Sequence, residues 1–195
     1  MNARNYRNFS ERQFLFRNNI AKNLSSPNLD YGCGNGTSTL VIALELPNLS
    51  IVGYDPNSKE IVEARRLVEL SGLREVKFTD SLEDLRNYAF RSSTANFVYH
   101  ENPDLFKEIF PLIVPGGKVC ILDYNLKGVT MREFKKNFCC DNERRILKDE
   151  GLEACFERHT STNIKDCMNS AKEAGFTPSE MCTTDHYFAL VAEKK

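Results

Sequence analysis

Apolar and polar positions follow two different periods along most of the chain. From residue 28 onward, short segments with strand character alternate with segments whose apolar residues recur at helical spacing, and Gly, Pro, Asn or Asp marks each junction. This alternation predicts a βαβ architecture with a parallel sheet. The predicted strands are 29–30, 50–54, 75–78, 95–100 and 118–123, and the predicted helices between them are 37–46, 58–71, 82–88 and 104–110.

The two ends of the chain do not follow this alternation of strands and helices. Phe9–Leu24 has helical spacing and predicts an amphipathic helix that packs over the sheet edge or the mouth of a site. Met131–Cys167 is polar and helical in propensity, which predicts about two helices outside the sheet, and Asp166–Ala174 predicts a final covering helix. Segments 178–183 and 186–193 then predict an antiparallel hairpin at the edge.

Composition and charge narrow the function classes. The chain has 195 residues, 41% hydrophobic and 27% charged, which fits one folded domain. A net charge of −1 provides no basic field for nucleic acid, so we expect a small-molecule partner. We find no apolar run long enough for a membrane span and no secretory signal, and therefore expect a cytoplasmic protein.

The seven cysteines form no C-x-x-C pair and are odd in number, which favours reduced thiols over a disulfide framework. No ligand spacing recurs around them, so we predict no metal site. The vicinal pair Cys139-Cys140, with Cys155 and Cys167, leaves open a soft metalloid as methyl acceptor. Buried or incidental thiols are the favoured interpretation.

The most informative segment is Leu29–Ser38, in which a strand end passes through Gly32, Gly34 and Gly36 into a helix. Glycine lets the backbone approach a ligand closely, and the N–H groups at a helix start form an electropositive mouth. Asp55 lies nineteen residues after Gly36, at the end of the second predicted strand. A carboxylate there can accept bonds from two ribose hydroxyls, so the pattern predicts a nucleotide-like ligand.

A nicotinamide site is the first alternative, but Thr37 occupies the position where the dinucleotide motif has its third glycine. The pattern Asp30-x-Gly32-x-Gly34-x-Gly36 instead resembles the first motif of class I S-adenosylmethionine-dependent methyltransferases. The resemblance implies an α/β fold with a Rossmann-like seven-stranded sheet, mostly parallel with an antiparallel last strand and helices on both faces. It also implies S-adenosylmethionine as the cofactor.

Further segments resemble the same family in its own order. Residues 51–57 resemble the second motif, 96–100 the fourth strand (with Asn96 where Asp is usual), and 112–123 the Pro-Gly-Gly turn and fifth strand. Residues 173–176 and 186–192 resemble the last helix and the antiparallel final strand. The resemblance is closest to the broad group that contains quinone-biosynthetic methyltransferases.

The resemblance implies cofactor-binding roles for residues of the glycine loop and of the next two strand ends. Asp30 acts directly or by orienting the loop, and Asp55 binds the ribose. Asp80 accepts from the adenine or caps the following helix, and Glu83 or Asp84 is an alternative for the adenine role. The predicted cofactor site consists of Asp30, Tyr31, Gly32, Cys33, Gly34, Asp55, Pro56, Asp80 and Ser81.

Two residues beyond the strand ends are candidates for catalysis. His100 follows the fourth strand and could meet the transferred methyl group or act as a base, or it could be a surface histidine beside Glu101. Tyr124 follows the fifth strand and could line the acceptor pocket or simply pack. His159 is a third candidate base.

The sequence therefore predicts one domain, 1–195, that transfers a methyl group in line from S-adenosylmethionine to a small molecule. Segment 1–26 is the predicted helical cap, and 128–165 the predicted helical insertion over the acceptor pocket. We expect a monomer or homodimer. The alternatives are a non-catalytic S-adenosylmethionine-binding sensor or partner subunit, and a nicotinamide-dependent oxidoreductase.

Overall fold

The computed structural model, which describes residues 10–137 and 151–195, contains a seven-stranded sheet. The strands are β1 (Asn28–Tyr31), β2 (Ile51–Tyr54), β3 (Val76–Thr79), β4 (Phe90–Asn96), β5 (Ile113–Tyr124), β6 (Phe176–Thr183) and β7 (Tyr187–Lys194). Their order is β3-β2-β1-β4-β5-β7-β6. The first five strands are parallel, whereas β7 is antiparallel to β5 and to β6. This topology confirms the predicted fold class and the final hairpin.

Helices connect and cover the strands. They are α1 (Thr37–Glu45), α2 (Ser58–Ser71), α3 (Leu82–Leu85), α4 (Leu105–Ile109), α5 (Met131–Asn137), α6 (Leu152–Ser161) and α7 (Ile164–Glu173). Residues 10–23, called the N-terminal segment below, are α-helical over 10–15, continue as a π-helix at Phe16–Ile20 and end in a 3₁₀ turn at Ala21–Asn23. Among the described residues, no helix is long and apolar enough to cross a membrane.

The core consists of two apolar layers, one on each face of the sheet. The N-terminal segment, α1 and α2 cover one face through Ile20, Ile42 and Ile61, all nearly or fully buried. Helices α4 and α7 cover the other face, where Phe106 and Cys167 pack against the strands. Burial on both faces accounts for the continuous apolar run of β5.

The fourth strand differs from its prediction, because it begins at Phe90 and ends at Asn96 rather than running over 95–100. Its start is polar in sequence, yet Ser92 and Thr94 are fully buried. The Ser92 hydroxyl donates to Asn28 Oδ1 at 2.7 Å, and the Thr94 hydroxyl donates to Asp30 Oδ1 at 2.9 Å. Hydrogen bonds to neighbouring strands thus let hydroxyl residues occupy central strand positions.

Two other boundaries differ in smaller ways. The sequence predicts a turn at Pro115-Gly116-Gly117, whereas the structure has a bulge within β5 at this point. Phe90 pairs with Ile113 and Ser92 pairs with Lys118, so β5 has extra residues between two neighbouring pairs. The helix predicted at 82–88 ends at Leu85.

The predicted helical insertion is described only in part. Helices α5 and α6 fall within 128–165 and form a small separate cluster in which Leu126, Phe134 and Cys155 are buried. Cys139 and Cys140 of the suggested metalloid site lie outside the described residues, and its other members, Cys155 and Cys167, are buried in different clusters. The five described cysteines are free thiols.

Candidate functional site

The glycine loop between β1 and α1 takes a path that only glycine adopts without strain. Gly32 and Gly34 have positive φ angles of 72° and 52°. A Cβ atom on Gly32 would lie 2.4 Å from Val98 Cγ2, whereas a Cβ atom on Gly34 would meet nothing within 4 Å. The loop therefore packs tightly at its start and borders open space two residues later.

The carboxylate of Asp55 joins this loop to the end of β2. Its Oδ2 accepts from the Gly34 N–H at 2.9 Å and its Oδ1 from the Asn57 N–H at 2.9 Å. The side chain is half-buried, and the following Pro56 is exposed. A carboxylate has about four acceptor positions, so Asp55 can hold the loop and still accept from a ligand hydroxyl.

Most loop amides are bonded within the protein, which corrects the expectation of an open electropositive mouth. The N–H groups of Gly32 and Cys33 donate to the Tyr54 carbonyl oxygen at 2.7 and 2.9 Å. The Thr37 N–H, at the start of α1, donates to Asn35 Oδ1 at 3.2 Å. Close backbone approach and the Asp55 carboxylate are therefore the features that this loop offers to a ligand.

Asp30 lies beneath the loop and is 2% exposed. The hydroxyls of Thr39 and Thr94 donate to its two oxygens at 2.6 and 2.9 Å, which ties β1 to α1 and β4. Burial raises its pKa to about 6, although the two hydroxyl bonds oppose the shift. This geometry favours the orienting role over direct ligand contact.

Tyr31 and Cys33 are also buried next to the loop. The Tyr31 hydroxyl donates to the Glu108 carboxylate, and its ring packs against the Tyr54 ring with centroids 5.1 Å apart. The Cys33 thiol donates to the Gly34 carbonyl oxygen at 3.6 Å, and burial raises its pKa well above the ordinary value. Cys33 is therefore a packing thiol rather than a nucleophile.

Asp80 and Ser81 follow β3 at the same edge of the sheet. Ser81 caps α3, since its side chain accepts from the Asp84 N–H at 3.4 Å. Asp80 does not serve as that cap; it is exposed, and a hydrogen bond with the Ser58 side chain lowers its pKa. Of the two alternatives for the adenine role, Asp84 accepts from the Thr79 hydroxyl at 2.6 Å.

The candidate catalytic histidine is buried rather than on the surface. His100 is 6% exposed, and its Nδ1 lies 2.8 Å from Oδ1 of the fully buried Asp123. The His100 ring lies 4.5 Å from the His159 ring and 5.2 Å from the Tyr124 ring, between centroids. Burial, and the nearby His100, lower the pKa of His159 to about 4, so His159 is neutral near pH 7. Tyr124 in turn packs against Phe97, with centroids 4.9 Å apart.

A cavity of about 270 Å³ opens at the carboxyl ends of β4 and β5. Thr37 and Ser38, which directly follow the glycine loop, line it, but His100 and Tyr124 do not. None of the described residues of 128–165 lines this cavity either. The described part of the predicted helical insertion therefore does not cover it. The remaining lining comes from the N-terminal segment, α1 and the strand ends, namely Arg12, Gln13, Phe16, Val41, Ile42, Asn96, Phe97 and Leu122.

Of these positions, the sequence singles out only Asn96, as a departure from the fourth-strand motif, and predicts no role for Gln13 or Phe97. Phe97 has a φ of 63°, a left-handed conformation that is rare for a bulky residue and is often found at functional sites. Gln13 Oε1 and Asn96 Oδ1 are buried and have no hydrogen-bond partner among the described residues. No local motif signals Gln13 or the left-handed conformation of Phe97, because the N-terminal segment and this strand end are distant in sequence and meet only in the fold.

The sheet order, the glycine loop and Asp55 define the class I S-adenosylmethionine-dependent methyltransferase fold. A family model described as a methyltransferase domain matches residues 24–175. The chain therefore belongs to this family, whose methyl donor is S-adenosylmethionine, and the expected family is confirmed.

Solved structures agree in fold. A SAM-dependent methyltransferase from Methanosarcina mazei is 17% identical with a TM-score of 0.63, and the match covers 90% of this chain and 96% of that one. The plantazolicin methyltransferase BpumL, solved with SAH, is 15% identical with a TM-score of 0.65 over 97% and 84% of the chains. The [4+2]-cyclase SpnF is 16% identical with a TM-score of 0.66 over 94% and 79%.

Among curated proteins, an uncharacterized protein from Synechocystis is 39% identical over 77 residues. The match covers 35% of this chain and only 15% of that protein.

Proposed function

We propose that this protein binds S-adenosylmethionine at the glycine loop and transfers its methyl group in line to a small molecule in the adjoining cavity. The observation that carries the proposal is the Asp55 carboxylate, which is bonded to Gly34 beside open space at the carboxyl edge of the sheet. Ligands of open α/β sheets bind at this edge. The residues present thus fit the donor that the family uses.

Each predicted cofactor residue has a role in this proposal. Asp55 accepts from the ribose hydroxyls, with Pro56 ending the strand beside it, and Asp80 and Ser81 border the adenine. Gly32 and Gly34 let the backbone approach the amino-acid tail. Tyr31 and Cys33 form the packed floor, and Asp30 holds the loop in place through Thr39 and Thr94.

When bound, S-adenosylmethionine supplies an electrophilic methyl group on a positively charged sulfur. The protein's task is then to align an acceptor with that methyl group and to exclude water. His100 and Tyr124 act on the acceptor side in our proposal, where Tyr124 supports the cavity residue Phe97. The buried His100–Asp123 pair fixes the backbone that follows β4 against β5, because the Asp123 carboxylate also accepts from the His100 N–H at 3.2 Å.

The acceptor is proposed to be small because the cavity is about 270 Å³, near the lower limit for ligand pockets. The net charge of −1 supports the same choice over nucleic acid. A cytoplasmic location, the single domain 1–195, and a monomeric or homodimeric state belong to the same proposal.

Calorimetric titration with S-adenosylmethionine and S-adenosylhomocysteine tests the donor site. We expect micromolar binding by the natural protein and a loss of at least about 100-fold in Asp55→Ala, since two hydrogen bonds to a charged group contribute about 1.5–3 kcal/mol each. Glu173→Ala, which removes an exposed carboxylate at the end of α7, is the matched control and should bind normally.

Absence of binding would overturn the proposal, and binding of reduced nicotinamide instead would favour an oxidoreductase. Binding without transfer of labelled methyl to any acceptor would favour a non-catalytic S-adenosylmethionine-binding protein. The same fold also occurs in a protein named for a different reaction, the [4+2]-cyclase SpnF.

A further inference from the structure

Among the described residues that line the cavity beside the glycine loop, Arg12 alone carries a formal charge. The other lining side chains are apolar or uncharged, and none of them is a carboxylate, an imidazole, a phenol or a thiol. The cavity therefore combines one cationic group with walls that are mostly apolar. This composition favours a ligand that has one negative group on an apolar skeleton.

Two aromatic rings contact the Arg12 guanidinium at the strand ends. Its central carbon lies 5.7 Å from the ring centroid of Phe97, which also lines the cavity, and 5.9 Å from that of Tyr187. Arginine stacks on aromatic rings through its flat face, which leaves the N–H groups at its edge for hydrogen bonds. The guanidinium has five such donors, so it can bind a carboxylate in addition to a protein partner.

The acidic residue next to Arg12 in sequence, Glu11, is bonded away from the cavity. Its carboxylate accepts from the Thr184 hydroxyl at 3.1 Å and lies 3.2 Å from His186 Nδ1, in the β6–β7 hairpin. The side-chain oxygens of Gln13 and Asn96 are buried, so they expose almost no negative surface to a ligand. The described cavity wall is therefore compatible with an anion beside Arg12.

We propose that the acceptor is a carboxylate on an apolar skeleton, that Arg12 binds this group, and that one of its oxygens receives the methyl group. This inference rests on the proposed function and names its substrate class. A carboxylate is already ionised near pH 7, so no base has to remove a proton before it attacks. An alcohol, a phenol or an ammonium group must first lose a proton, and the described lining contains no side chain suited to take it.

The transfer balances without a further reactant. A lone pair of the carboxylate oxygen forms the O–C bond as the C–S bond of the sulfonium breaks, and the electrons of that bond stay on sulfur. A carboxylate and a sulfonium thus become a methyl ester and a thioether, both of which are neutral. Because burying charge is costly, apolar walls favour a reaction that turns two charged groups into neutral ones. Arg12 holds one carboxylate oxygen while the other attacks, and it binds the neutral ester more weakly.

The first test uses methyl-labelled S-adenosylmethionine and acceptors that share a skeleton but differ in their reactive group. Hexanoate, benzoate and 3-phenylpropionate are compared with the amides, alcohols and amines of the same skeletons. We expect label transfer to the carboxylates, as an ester that dilute alkali cleaves to labelled methanol. Label that is stable to alkali, methylation of an alcohol or amine in preference to the carboxylate, or no methylation of any carboxylate would overturn the inference.

The second test changes Arg12 itself. Arg12→Met removes the charge and keeps an apolar stem, whereas Arg12→Lys keeps the charge without the planar fork. We expect Arg12→Met to lower kcat/KM for the carboxylates at least tenfold, and Arg12→Lys to lower it less. Calorimetry of the same carboxylates with the protein saturated with S-adenosylhomocysteine should show at least tenfold weaker binding in Arg12→Met. The affinity for S-adenosylhomocysteine should stay within twofold in both variants, which also shows that they fold.

Arg17→Met is the matched control, since Arg17 is an exposed arginine of the same segment that does not line this cavity. It should leave kcat/KM and carboxylate binding unchanged. Full kcat/KM in Arg12→Met would overturn the inference. A tenfold loss of S-adenosylhomocysteine affinity in Arg12→Met would assign Arg12 to the donor's own carboxylate and would overturn it as well. Absence of S-adenosylmethionine binding by the natural protein would instead overturn the proposed function.

Discussion

The two halves of the site satisfy their polar groups in different ways. At the glycine loop, the Asp30 and Asp55 carboxylates accept two hydrogen bonds each from the protein itself. Beside the cavity, the buried Gln13 and Asn96 oxygens have no hydrogen-bond partner in the part of the chain that the structure describes. The polar groups of the donor half are thus bonded within the protein, whereas two buried oxygens beside the cavity are not.

The largest expected effect is on stability, and it compares two glycines of the donor half: Gly32, which is tightly packed, and Gly34, which borders open space. Gly32→Ala should lower the free energy of unfolding by about 2–5 kcal/mol, because left-handed backbone and overpacking against Val98 add up. Gly34→Ala should cost only about 1–2 kcal/mol, since its added methyl group meets open space, yet it should weaken S-adenosylmethionine binding. Urea unfolding and calorimetry measure the two effects, and equal losses of stability would contradict the packing described.

A second effect concerns the pH dependence of the donor half. The Asp30 carboxyl has a pKa of about 6 in the folded protein against 3.8 ordinarily, so the folded state holds the proton more tightly. Its contribution to stability is present below about pH 4 and is lost as pH rises through about 6, up to roughly 3 kcal/mol. Asp30→Asn should lack this loss. The free energy of unfolding of the variant should therefore rise relative to that of the natural protein between pH 4 and pH 7. Parallel unfolding curves would refute this assignment.

The histidine cluster behind the cavity should respond to pH with the opposite sign. His159 has a pKa of about 4 when folded and 6.5 ordinarily, so its contribution is present above about pH 6.5 and is lost as pH falls through about 4. His159→Phe keeps an aromatic ring against His100 and should remove about 2–3 kcal/mol of this acid sensitivity. Thermal unfolding between pH 4 and pH 7.5 measures it. An unchanged acid sensitivity would mean that other groups dominate.

The smallest effect distinguishes the two carboxylates that are candidates for the adenine role, Asp80 and Asp84. Asp80→Ala should weaken S-adenosylmethionine binding about tenfold, consistent with one hydrogen bond to a charged group, and leave unfolding unchanged because Asp80 is exposed. Calorimetry and urea unfolding check both parts. If Asp84→Ala lowers the affinity and Asp80→Ala does not, the adenine role belongs to Asp84.

The two halves also differ in how far sequence predicts them. The donor half can be predicted from local sequence signals. Alternate glycines, followed by an acidic residue after the next strand, constrain the loop independently of contacts with distant segments. The cavity depends on contacts between distant segments. Gln13 has no local motif, and the fourth-strand motif that contains Asn96 does not indicate which segment packs against it. The same reason explains the misplaced fourth strand, where buried hydroxyls such as Ser92 depend on partners in other strands.

Hydrogen exchange of the full chain with and without S-adenosylmethionine tests the central claim most directly, because it reports where the donor binds. We predict slower exchange in peptides covering 31–38 and 54–58, and unchanged exchange in the β6 peptide 176–183. Protection confined to other segments, or none at saturating S-adenosylmethionine, would contradict a donor site at the glycine loop.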